Sequence, residues 1–131
     1  MNNNIYDSEY CRVTYMEADH VVLLTWKKFC SFDDYRKPTM FASDLLKKYD
    51  GSNFVIDARN GFEDVKEDVV WGFRTLLPDM AKSSCKACVF ILQELPAIEE
   101  EIDLWSAEFK KYFQVFKVQS YTEAVNKIQA D

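Results

Sequence analysis

Asp57, Arg59 and Asn60 are the residues whose types and spacing come closest to a working site. They follow the apolar run Phe54, Val55, Ile56 and stand at the mouth of what reads as a buried strand, with Gly61 behind them. The carboxyl end of a parallel strand is where α/β sheets commonly hold ligands. Opposite charges two residues apart there make a binding site. The competing reading is a structural corner. In it Asp57 accepts backbone N–H bonds from a neighbouring loop and Arg59 pairs with a nearby acid. Both readings are carried forward.

Other chemistry-bearing residues point less far. His20 sits beside Asp19 at a strand start, but no motif places a Ser or Cys nucleophile next to it, so it reads as a turn residue. Cys85-Lys86-Ala87-Cys88 has the CxxC form. It precedes or enters a strand, whereas a thioredoxin-like pair sits where a strand gives way to a helix. In an extended chain, positions i and i+3 also point to opposite faces. Cys11, Cys30 and the single His20 form no second close pair, so a four-ligand zinc site is not expected. The cysteines read as ordinary buried or semi-exposed thiols. Glu99, Glu100, Glu101 and Asp103 open a helix, where negative charge suits the dipole, and read as a solvated face. Trp71, Phe73, Trp105, Phe109, Phe113 and Phe116 fall on helix stripes and strand positions, as core residues do; the functional alternative is an aromatic-lined cavity for an apolar ligand. Neither a Walker loop, nor GxGxxG, HExxH or GxSxG occurs, and three glycines leave little from which to build a phosphate cradle. No catalytic group, metal or cofactor is therefore expected, and the chain does not read as an enzyme.

The elements that position these residues follow from periodicity. Residues 10–16 alternate as a half-exposed strand, and residues 20–26 form a more continuous apolar one, so the two should pair as a hairpin. Ser31 is placed to cap a helix, with Asp34 completing a capping box, and Phe41, Leu45 and Tyr49 form its apolar face. Pro38 inside that segment bends or breaks it. Residues 54–58 are the third strand. A helix over about 64–82 carries Val65, Val69, Phe73, Leu76 and Met80 on one stripe, with Pro78 shortening its end. Residues 87–92 form the fourth strand. Pro96 opens a helix with the stripe Ile98, Ile102, Trp105 and Phe109, residues 112–118 form the fifth strand, and Ser120 with Glu123 caps a last helix.

The order is β-β-α-β-α-β-α-β-α. A helix between successive strands enforces parallel pairing through right-handed crossovers. The expected architecture is one mixed five-stranded α/β sheet, antiparallel only at its first hairpin, over residues 10–131, with residues 1–9 as an N-terminal tail. If consecutive strands are neighbours, every crossover helix lies on the same face and the other face lacks cover. A homodimer would supply it.

In this frame the chain resembles the SpoIIAA-like proteins of the STAS superfamily. The resemblance rests on Tyr35-x-x-Pro38 early in the first helix, Asp57-x-Arg59 after the third strand, Trp71 in the second helix and Leu77-Pro78 late in it. The closing SYTEAVNKI is similar to that group's final helix, and the likeness spans roughly residues 10–130. It implies that the Pro38 bend is tolerated, and that the protein is a binding module, not an enzyme. In bacterial anti-anti-sigma members a serine after the third strand is phosphorylated to control partner binding. Here residues 58–70 read ARNGFEDVKEDVV, without Ser or Thr, and Glu63, Asp64, Glu67 and Asp68 already supply negative charge to that helix start. Phospho-switching is not expected there; a constitutively acidic surface is the alternative that stays open.

Composition bounds the partners. The 131 residues are 48% hydrophobic and 15% aromatic, enough for one core-forming domain. A formal net charge of −6 repels phosphate backbones and anionic lipid, so neither nucleic acid nor membrane is an expected partner. The first residues carry no basic segment followed by an apolar one, and no apolar stretch approaches a membrane span, so a cytoplasmic protein is expected. The expected role is a regulatory or protein-interaction module with a protein partner. The alternative is a binder of a small molecule, lipid or nucleotide, in a pocket at the carboxyl ends of the strands.

Overall fold

The computed structural model describes residues 4–93 and 96–130, with the backbone alone over 96–99. Alternating and continuous apolar runs make one six-stranded sheet whose spatial order follows the chain: β1 (Ile5–Asp7), β2 (Cys11–Met16), β3 (Val21–Trp26), β4 (Asn53–Asp57), β5 (Ala87–Ile91) and β6 (Gln114–Val118). β1–β2 and β2–β3 are antiparallel; β3 to β6 run parallel. The mixed α/β sheet is as expected, but it has six strands, not five. The extra strand lies within the stretch expected to be a tail. Three residues are too few to show a period of two. Arg12 and Lys27 both reach Asp7, at 3.1 and 2.8 Å, and tie this edge down.

Helix α1 (Asp33–Lys48) follows β3. It starts from Phe32, not Ser31, and no side chain caps it. The expected capping box is therefore absent. Pro38 does not break it either: the helix runs through. The Asp34 carbonyl that Pro38 leaves without an amide accepts a hydrogen bond from Cys30 Sγ at 3.6 Å. After β4 come α2 (Lys66–Trp71), a π-helical turn (Gly72–Leu76) and α3 (Leu77–Met80) without interruption. In the π turn Leu77 N–H donates to the Gly72 carbonyl, five residues back, one position ahead of Pro78. Helix α4 (Pro96–Phe109) joins β5 to β6, and α5 (Tyr121–Gln129) closes the chain. Ser120 caps α5 as expected, accepting from Glu123 N–H at 3.2 Å.

The two faces of the sheet bury two cores. Trp26, Phe54, Phe90, Trp105 and Phe109 belong to the larger, beneath α1 to α4. Burying each such side chain contributes about 2 kcal/mol. On the opposite face Val21, Val55, Val89, Ile91 and Val118 pack against Ala124 of α5. The expectation of an uncovered second face is thus corrected over β3 to β6. α5 connects no two of the described strands, so the crossover rule does not assign it to the face of the other helices.

Candidate functional site

Asp57 ends β4 on the α5 side, nearly buried. Arg59 folds straight back onto it: Nε donates to Oδ1 at 3.0 Å and Nη2 to Oδ2 at 2.7 Å, while Arg59 N–H donates to Oδ1 at 3.1 Å. Both carboxylate oxygens are thereby engaged by one neighbour two residues away. Ala58 N–H bonds the Ile91 carbonyl, and Asn60 is exposed. The acid that pairs with Arg59 is Asp57 itself, and the geometry is that of a corner.

The more elaborate construction lies beside it, where two loops meet at the carboxyl ends of β3 and β4. Cys30 N–H bonds the Phe62 carbonyl at 3.1 Å, and Asp64 N–H bonds the Cys30 carbonyl at 2.9 Å. Gly61 permits this approach, since a Cβ there would strike the Lys28 carbonyl. The clamp delivers the chain into Phe32, whose φ of 51° and ψ of −126° put a bulky residue in glycine territory. Phe32 is 48% exposed, and Phe29 on the same loop is 49% exposed. Asp68 holds the strained residue. Its fully buried carboxylate accepts from Phe32 N–H at 2.7 Å and from Arg36 Nε at 2.7 Å. The Arg36 guanidinium lies 5.4 Å from the Phe32 ring centre and 5.3 Å from that of Trp71.

Sequence reasoning missed this cluster because it weighed Asp68 only as surface charge. Of the four acids at this helix start, Asp68 and Glu63 are buried, and Asp64 and Glu67 are exposed. The available signal was spacing: Asp68 and Trp71 are three apart on one helix face, and Arg36 sits in the first turn that follows Phe32.

A second buried acid meets a partner behind the clamp. Glu63 faces Glu101 and the Trp105 indole from α4. Glu63 Oε2, Glu101 Oε2, Trp105 Nε1 and Ser106 Oγ are shut off from solvent without a well-formed hydrogen bond among the described residues. Burial pushes the Glu63 carboxyl up to about 9; Glu101 adds to the rise and the indole opposes it. Glu101 is half-buried, with Oε2 shut off from solvent, whereas Glu100 and Asp103 are exposed and Asp103 pairs with Lys117; the Glu99 side chain lies outside the described residues. Gly72 of the π turn abuts Trp105 so closely that a Cβ would overlap the ring.

The remaining candidates divide plainly. His20 is an exposed turn residue with φ 53°. Cys85 and Cys88 are both buried in the larger core, not on opposite faces, because Cys85 precedes β5. All four cysteines are free. Burial pushes the Cys11 and Cys30 thiols up to about 12, where a thiolate does not form at neutral pH. Among the described residues no group of three or more His, Cys, Asp or Glu could hold a metal. Trp105, Phe109 and Phe113 are core residues, while Trp71, Phe73 and Phe116 are half-buried. The space inside the aromatic core, lined by Trp26, Tyr35, Phe62 and Trp105, is about 10 Å³. A crevice of about 500 Å³ lies between Leu92, Asp103, Lys117 and Glu123. It opens at the carboxyl ends of β5 and β6, whose following helices take opposite faces of the sheet. Among the described residues no helix is long and apolar enough to cross a membrane.

No family model matches this chain, and no curated protein or solved structure matches it significantly.

Proposed function

We propose that this chain is a non-enzymatic regulatory or protein-interaction module of the STAS, SpoIIAA-like type, acting in the cytoplasm without the phosphorylatable serine of anti-anti-sigma factors. The observation that carries the interaction role is Phe32. Backbone strain of this kind costs about 1–3 kcal/mol and persists at sites where it serves a purpose. Here it holds an aromatic ring half in solvent, braced by Asp68 and stacked with Arg36. Exposed aromatics and arginine are the residue types that dominate binding energy in interfaces. The STAS likeness is supported by the strand–helix order and by the positions of Pro38 and Asp57 at a helix start and a strand end.

Capture from native lysate on the wild-type and Phe32→Gly chains tests the reading. A discrete protein retained by the wild type should be lost with Phe32→Gly. In urea unfolding, Phe32→Gly should exceed Phe32→Ala in stability by about 1 kcal/mol, since only glycine relieves the strain. A partner held equally by both chains would refute the site.

The second reading, a small-molecule binder of the lipid or nucleotide class, is favoured by the crevice between β5 and β6. It occupies the position where ligands enter open α/β sheets, and its size suits a small ligand. Co-purified small molecule in native mass spectrometry would support it. A homodimer remains a proposal for the part of the second face over β1 to β3, where Ile5, Leu23 and Met16 are not fully buried.

A further inference from the structure

We infer that the Arg36 guanidinium is an anchor for a single carboxylate side chain, Asp or Glu, set among apolar residues on a partner protein. The inference deepens the interaction-module reading and rests on it.

The geometry of Arg36 is that of a charge prepared for a second partner. Nε is committed to Asp68 at 2.7 Å, which fixes the plane of the guanidinium. The rings of Phe32 and Trp71 approach the same group at 5.4 and 5.3 Å. Among the described residues the guanidinium's one hydrogen bond is through Nε and its one carboxylate partner is Asp68, and the side chain is 30% exposed. A guanidinium held by one edge presents its remaining N–H groups as a rigid fork, and that fork matches a carboxylate bidentately. Because the rotamer is already restrained, little side-chain entropy is lost on binding. The flanking aromatics desolvate the pair, which strengthens it.

Charge chooses among anions. Arg36 offers one positive charge, and Asp68 already offsets it inside. Asp33, Asp64 and Glu67 are exposed on the adjoining turns, and the whole chain carries −6. A phosphate dianion or a nucleic-acid backbone meets net repulsion here. One carboxylate in an otherwise apolar stretch brings a single negative charge, half that of a phosphate dianion, and gains both the fork and the contact with Phe32. Such a stretch is a protein segment.

Selection of a random dodecapeptide display library on the immobilised full chain supplies probes, and fluorescence anisotropy measures the recovered peptides. The enriched sequences should share one Asp or Glu beside apolar residues. Replacing that acid by its amide should weaken binding to the wild-type chain about tenfold or more. Arg36→Gln should bind acid and amide peptides alike, with circular dichroism unchanged. The peptide substitution needs no variant of the chain, so the result stands even if Arg36→Gln fails to fold. Enriched peptides that share no acid, or that bind as well after the acid is amidated, overturn the carboxylate anchor and leave the interaction module standing. Failure to enrich any peptide overturns both. A second copy of the chain seated on Phe32, detected as a dimer that Phe32→Ala dissociates, overturns the separate protein partner.

Discussion

At the scale of single residues, environment separates carboxylates that look alike in the chain. Asp57 is satisfied by Arg59 and Asp68 by Phe32 N–H and Arg36, whereas Glu63 Oε2 is shut off from solvent without a well-formed hydrogen bond among the described residues. The titratable groups around Glu63 are Glu101 of α4, Tyr35 of α1, and beyond Tyr35 the groups Asp68 and Cys30, and Asp68 is paired with Arg36. Glu63 therefore keeps its proton at neutral pH. Unfolded, it titrates near the ordinary value of about 4.3; folded, it titrates near 9. The native state binds the extra proton between those values, so this group's contribution is intact below about pH 4 and declines as pH rises towards 9. Glu63→Gln keeps the shape and removes the titration. It should flatten the pH profile of stability and exceed the wild type at pH 8 by on the order of 2 kcal/mol, with the two converging in acid. Urea unfolding across that range checks this, and parallel profiles would contradict it.

At the scale of elements, two helices depart from regular form, and each departure has a local cause. Helix α1 absorbs Pro38 because the Cys30 thiol supplies a donor for the Asp34 carbonyl. The helix after β4 widens into a π turn over Gly72–Leu76, next to Trp105. Such turns insert one residue and often mark functional sites. Here the widened turn sets a glycine against the indole that also lies over Glu63. Gly72→Ala has no free space to enter, because the ring it meets is itself buried. It should lose about 2–3 kcal/mol by overpacking, seen as a lower thermal midpoint, and should disturb the Trp105 fluorescence. An unchanged midpoint would mean that the helix can shift away without penalty. Phe62 and Tyr35 belong to the same aromatic layer, so this change also loosens the clamp that delivers Phe32.

At the scale of the whole molecule, the consecutive strand order puts three crossover connections on one face and leaves α5 to cover the other. Ala124 is fully buried against that second face, and the Tyr121 hydroxyl donates to Asp19 at 2.7 Å, fastening α5 across to the β2–β3 turn. Ala124→Glu would bring a carboxylate to Val55 and Val89. It should destabilise the protein by on the order of 3 kcal/mol and, by lifting α5, expose enough apolar sheet to drive self-association, seen in light scattering. A monomer of unchanged stability would show that α5 is not needed to seal the sheet.

Much of the architecture was legible from the chain. Residues 20–26, 54–58 and 87–92 announced parallel central strands because strands buried on both faces need apolar side chains at nearly every position. Trp105 and Phe109 announced the core through helical spacing. The pairing at Asp57 was legible only as one of two readings; the structure shows both of its carboxylate oxygens taken by Arg59. β1 was not legible, because three residues carry no period. Nor was the fate of Glu63, Asp68 and Glu101. By itself the sequence determined which segments are apolar on one side or both, because that pattern is local and repeats along the chain. Only the tertiary structure decided which acids are buried, which arginine Asp68 holds, and which side of the sheet α5 takes, because those depend on groups some thirty or more residues apart being pressed together out of water.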